Sequence, residues 1–116
     1  MAIVLVVDDD AAALEIRKLV LERHGHMVVT ATDASAARAI FVENLPDVVI
    51  TDLRLPDPED GLALIKGLRE FRTTGQVKII VLCGNSSDIE GREEAAMVNG
   101  ILTKPVRSEV LLKAIA

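Results

Sequence analysis

The sequence has no tryptophan or tyrosine, two phenylalanines (Phe41 and Phe71) and one cysteine, Cys83. With so few rings, branched aliphatics and alanines must fill the core. A lone cysteine excludes an internal disulfide and fits a reducing, cytoplasmic compartment. No apolar run approaches the roughly 20 residues of a membrane helix, which argues against a membrane partner. The opening Met1-Ala2-Ile3-Val4 lacks the basic region of a signal peptide. Positive charge is also short: 13 Lys and Arg against 18 Asp and Glu leave a formal charge of −5. That balance argues against direct nucleic-acid binding, because phosphate contacts need a basic face. About half of the residues are apolar, enough for one core. The expectation is one acidic domain over residues 1–116.

Short aliphatic runs stand out at Ile3–Val7, Met27–Val29, Val48–Ile50 and Val77–Leu82, with a weaker one at Ile101-Leu102. Runs this uniformly apolar, without alternation, suit a parallel sheet covered on both faces. Between them, Ala13, Ile16 and Val20 share one helical face, as do Leu62, Ile65 and Leu68. Ala37, Ile40 and Phe41 repeat the spacing, and Val110, Leu111, Ala114 and Ile115 begin a last, short helix. The segment Asp88–Val98 is the weakest helix, with Gly91 inside it and little apolar face. His24-Gly25-His26 ends the first helix, Gly25 supplying positive φ. Asp33 and Asp60 read as N-caps, and Gly75 and Gly100 stand just ahead of strands. Alternating strands and helices give an α/β fold, (βα)5, doubly wound around a parallel five-stranded sheet.

In such sheets the functional crevice lies outside the carboxyl ends of the strands. The first run ends in Asp8-Asp9-Asp10, the third in Thr51-Asp52, the fourth in Cys83-Gly84, and the fifth in Thr103-Lys104-Pro105. Carboxylates about 4 Å apart repel by roughly 4 kcal/mol at an effective dielectric near 20. Three together raise a pKa or recruit a cation. Oxygen donors without a nearby imidazole or thiolate pair suit a hard ion, Mg2+ before Zn2+. A lone Asp at a strand end is ordinarily a helix cap, and Asp10, just before Ala11, fits that role. Asp8, Asp9, Asp52 and Lys104, arriving from three strands, read instead as a metal-assisted phosphoryl site.

These residues carry a family resemblance. Val6-Val7-Asp8-Asp9-Asp10, Asp47 through Pro56, Asp60-Gly61 and Lys104-Pro105 together resemble the receiver domain of two-component response regulators, across essentially the whole chain. The resemblance implies the flavodoxin-like strand order 2-1-3-4-5. It implies that Asp52 is the phosphoacceptor, and that Asp8 and Asp9 hold Mg2+ with Asp52 and the backbone carbonyl of Arg54. Lys104 would contact the phosphoryl group or Asp52, and Pro105 would follow a cis peptide. The donor would be a phosphohistidine on a sensor histidine kinase or a histidine phosphotransfer protein. The product would regulate an output domain or partner protein. In the family, a dimer forms through the face of the fourth helix, fifth strand and fifth helix. Such a domain is not an enzyme on other substrates; it catalyses only its own phosphoryl transfer and dephosphorylation.

The departures concern the switch. Where the family carries a Thr or Ser at the end of the fourth strand, this chain has Cys83, and a thiol is a weak donor. Losing one hydrogen bond to a charged group costs roughly 1–3 kcal/mol, about 5- to 150-fold in a two-state equilibrium. Ile101 stands where a switching Tyr or Phe is common. The loop from Pro56 to Gly61 is one residue longer than usual. Ser86 and Ser87 read as turn residues rather than substitutes for the missing hydroxyl. Arg54 and Asn85 flank the site where the family varies its dephosphorylation rate.

Three other readings compete. A pseudo-receiver would keep the fold and act by contact without phosphorylation. A phosphatase with an aspartyl nucleophile needs an acid two residues after it, where this chain has Arg54. A flavin site lacks both a phosphate loop after the first strand and a ring to stack. His24 and His26 lie at the opposite edge and read as a solvated pair.

Overall fold

The computed structural model describes residues 2–71 and 77–116, so Gly75 lies outside the described residues. Five strands form one parallel sheet: β1 (Ile3–Val7), β2 (Met27–Ala31), β3 (Val48–Asp52), β4 (Lys78–Cys83) and β5 (Gly100–Thr103). Their order is 2-1-3-4-5, as expected. The helices are α1 (Ala11–Arg23), α2 (Ala34–Asn44), α3 (Pro58–Glu70) and α4 (Ser108–Ile115).

Alternate side chains of each strand enter opposite layers. Leu5, Val7, Val49, Ile79 and Val81 pack with Phe41 of α2 and Leu62, Ile65 and Leu68 of α3. Val4, Val6, Ile50, Ile80 and Leu82 pack with Leu14 and Leu21 of α1 and Leu111 and Ile115 of α4. Both faces of the sheet are thus covered, which is why its strands carry so few polar residues.

The expected helix over Asp88–Val98 is not α-helical. Two 3₁₀ turns, Ser86–Asp88 and Glu93–Met97, connect β4 to β5. Gly91 adopts φ +77° between them, a conformation a helix cannot contain. The domain therefore has four α-helices among its described residues, not five. With so little covering that side of the edge strand, Ile101 is 36% exposed.

Two local readings are also corrected. The inward face of α1 is Leu14 and Leu21, whereas Ile16 is 64% exposed and Ala13 and Val20 are half-buried. The cap of α3 is Asp57, whose backbone N–H donates to Asp60 Oδ2 at 3.1 Å, so Asp60 is its capping-box partner. Asp10 and Asp33 cap α1 and α2 as expected, and Gly25 ends α1 with φ +84°.

Candidate functional site at the carboxyl edge of the sheet

The site is built where β1 and β3 run out. Asp8 follows β1 directly; its backbone N–H donates to Ala31 C=O at 3.1 Å, continuing the strand pairing by one residue. That extension buries the carboxylate, which is 2% exposed. Asp52 is the last residue of β3 and is 5% exposed. Asp9 is exposed beside them. The three acids bring carboxylate oxygens within 4.8 Å of one another.

Cations are built into this cluster. Lys104, just after β5, donates from Nζ to Asp52 Oδ2 at 2.6 Å. Its own backbone N–H donates to Cys83 C=O at 2.7 Å, which holds the lysine against the end of β4. The Lys104-Pro105 peptide is cis, as is Leu55-Pro56. Arg17 of α1 donates to Asp8 Oδ2, and the Asp10 N–H donates to Asp8 Oδ1 at 2.9 Å.

The charges answer to these surroundings. Burial pushes the Asp8 carboxyl up, but the Asp10 N–H, the Arg17 guanidinium and the Lys104 ammonium outweigh it and hold the group below the usual carboxylate range. Asp9 moves the other way: desolvation first, then the charges of Asp8 and Asp52, raise it. An acid whose ionisation is resisted by two neighbouring carboxylates is one that a divalent cation would favour. The hard-oxygen donor set fits Mg2+ on the same ground.

The loop behind Asp52 explains the Asp60-Gly61 pair. A Cβ at Gly61 would lie 2.1 Å from Leu53 O and 2.5 Å from Leu53 Cα. Only glycine lets the first turn of α3 press against the backbone that follows Asp52.

Of the positions expected to switch, Cys83 lies at the end of β4 and Ile101 in β5. Cys83 is buried, and its Sγ lies 3.9 Å from Leu102 C=O. Burial raises its thiol, with the Asp88 and Asp52 charges acting in the same direction, so it remains a neutral, weak donor. Ser86 and Ser87 lie in the 3₁₀ turn capped by Asn85, and the Ser86 hydroxyl donates to Glu90 at 2.9 Å. His24 and His26 sit at the opposite edge; His26 Nδ1 accepts from Ala2 N–H, so it is not simply solvated.

Two participants escaped the sequence reading. Arg17 was legible in principle, because it falls at i+3 from Leu14 on the helix face that goes inward, where a charge needs a partner. Asp88, which pairs with Arg54 Nη2 at 3.2 Å, had no such signal. Beside the site, Ala13, Ile16, Arg17, Val20, Val106, Ser108 and Leu111 line a mostly apolar groove between α1 and α4, of about 210 Å³.

Comparison with known proteins agrees with this geometry. The model of the response regulator receiver domain matches residues 4–116. The chain belongs to the response-regulator receiver family. This receiver is 30% identical to protein PilH of Pseudomonas aeruginosa, over 99% of its own length and 95% of PilH. It is 37% identical to the virulence transcriptional regulatory protein PhoP of Shigella flexneri over 94% of its length. It spans only 48% of PhoP, and 45% of the transcriptional regulatory protein KdpE of Mycobacterium tuberculosis. Among solved structures it resembles the chemotaxis response regulator CheY4 of Vibrio cholerae, with a TM-score of 0.88 and 31% identity, covering 99% of this chain and 96% of that one. A receiver domain from Clostridium thermocellum gives a TM-score of 0.87 at 31% identity, covering 99% and 91%. Among the described residues no helix is long and apolar enough to cross a membrane.

Proposed function

We propose that this receiver accepts a phosphoryl group on Asp52 from a phosphohistidine, in a cytoplasmic phosphorelay. The observation that carries the reading is the 2.6 Å pairing of Lys104 with Asp52 at the point where Asp8 and Asp9 converge. In the transfer, an Asp52 carboxylate oxygen forms a bond to phosphorus. The donor's P–N bond breaks, and the imidazole leaves with the bonding pair. Asp8, Asp9, Asp52 and the Arg54 carbonyl would hold Mg2+, which supplies charge neutralisation for the phosphoryl oxygens. Lys104 would move its ammonium from the carboxylate to an equatorial oxygen as charge spreads over the phosphoryl group. The attacking group is a carboxylate oxygen held by Lys104, and positioning and charge carry the step, so no general base is needed. The domain would act on no substrate but its own carboxylate.

The donor would be a sensor histidine kinase or a phosphotransfer protein approaching the carboxyl edge. The apolar groove between α1 and α4, whose wall Arg17 shares with the site, supports that approach. Output would run to an attached domain or a partner protein, and a dimer through the β5–α4 side is the family's alternative.

Incubation with Mg2+ and acetyl phosphate, followed by intact mass, tests the reading. The expected result is a gain of about 80 Da, the phosphoryl increment that carries the added charge. It should disappear in Asp52→Asn and without Mg2+. No adduct with any donor would sink it. The second reading is a receiver that works by unphosphorylated contact. The Cys83 thiol, turned toward the Leu102 carbonyl, favours it.

A further inference from the structure

The connection between β4 and β5 is fastened to the β3–α3 unit by ion pairs and, at its far end, by Arg69 of α3. That guanidinium donates to Met97 C=O at 2.6 Å and Asn99 Oδ1 at 2.7 Å. Arg54 pairs with Asp88 at 3.2 Å, Arg92 with Glu59 through two contacts of 2.9 and 3.2 Å, and Lys66 with Glu93 at 3.1 Å. Apolar anchoring is thin: Ile89 is fully buried, and Ala95, Met97 and Val98 are only partly so. The ties are not equivalent. Arg54 stands two residues after Asp52, whereas Glu59 and Lys66 lie farther along, on α3.

Among the cations around Asp52, Lys104 and Arg17 are already bonded to acids of the site itself. Arg54 is held instead by an acid of the β4–β5 connection. Its side chain is 60% exposed, so it has room to swing, and exposed pairs of this kind are weak. A phosphoryl group brings close to two negative charges and three acceptor oxygens, and a guanidinium binds such oxygens in a fork.

We propose that Arg54 is the relay in this receiver, standing in for the hydroxyl that Cys83 lacks. When Asp52 is phosphorylated, the guanidinium leaves Asp88 for the phosphoryl oxygens. The turn Ser86–Asp88 loses its tie, and residues 86–98 loosen to meet a partner. The inference rests on the reading of Asp52 as phosphoacceptor and adds the path by which modification reaches the surface.

Hydrogen exchange of residues 86–98 tests it, measured on the full chain with Mg2+, with and without acetyl phosphate, with intact mass read on the same samples. Phosphorylation should speed exchange there about 2- to 5-fold, the range a weak ion pair protects. Asp88→Asn should show the faster exchange without phosphorylation and no further increase with it. Lys66→Gln, which removes a tie remote from Asp52, should loosen the segment yet keep the phosphoryl-dependent increase. A clear 80 Da adduct with unchanged exchange, or an Asp88→Asn variant that keeps the full increase, overturns the relay alone. Absence of the adduct overturns the acceptor reading and the trigger with it.

Discussion

The carboxyl ends of β1 and β3 and the connection between β4 and β5 are neighbours held by different physics. At the acid edge, charges are bonded inside a scaffold: Asp8 and Asp52 are almost fully buried, and each has a cation and a strand fixing it. In the connection, charges meet across exposed surface, and 3₁₀ turns replace a helix. Buried ionic partners are expensive to remove, while exposed ones hold weakly. Under the proposed function, the difference would make capture rigid and response loose.

The largest test of that contrast is Arg17→Met. It leaves buried Asp8 without its guanidinium and should lower the stability of the metal-free protein by about 3 kcal/mol in urea unfolding. Added Mg2+ should recover part of the loss, because the cation would neutralise the same carboxylate. If Arg17→Met unfolds at the wild-type midpoint, the acid edge is not held as described.

Next comes a pair of glycines, one in each region. Gly61→Ala drives a Cβ into the Leu53 backbone and should cost about 2 kcal/mol. Gly84, at the end of β4, has nothing within 4 Å of the position a Cβ would take. Gly84→Ala should therefore stay within about 0.5 kcal/mol of wild type. Equal losses in the two variants would erase the contrast.

A smaller effect separates exposed Asp9 from buried Asp8 by pH. Asp9 is raised in the folded state, so its ionisation opposes folding once pH climbs above the ordinary carboxylate range near 4. Asp8 has the opposite sign: its lowered value contributes stability above that range, lost as pH falls through the folded value. Asp9→Asn should therefore stabilise the metal-free protein at neutral pH, and the gain should fade below about pH 4. With Mg2+ the order should reverse, since the variant loses a ligand. Denaturant midpoints between about pH 3 and 7, with and without Mg2+, check both signs.

The smallest expected change is at Glu59→Gln. Its pair with Arg92 lowers the carboxyl, through the hydrogen bond first and the guanidinium charge second. The pair is exposed, so global stability should barely move, and any difference should vanish in high salt. A large, salt-resistant loss would show the connection to be held as firmly as the acid edge.

Much of this was readable in advance where local pattern and global fold agree. The aliphatic runs mark the strands because a two-sided sheet admits little else. Asp8, Asp9, Asp52 and Lys104 are legible because parallel topology sends every strand's end to one edge. Legibility failed where sequence spacing left a choice of face. Ala13, Ile16 and Val20 are as regular as Leu14 and Leu21, but bulk, and the partner helix α4, decide which side of α1 goes inward. It failed again at Asp88–Val98, where a glycine with positive φ, poor apolar content and ion pairs to α3 outweigh the helical average.

What the sequence alone determined, then, is where the strand runs lie and that Asp8, Asp9, Asp52 and Lys104 stand at their carboxyl ends. Those depend on chain direction and on residue type, which are local. The tertiary structure decided that Arg17 neutralises Asp8 across 9 residues and that Arg54 reaches Asp88 across 34. Charge pairing has no period along the chain; it depends on which surfaces the packed layers bring within a few ångströms.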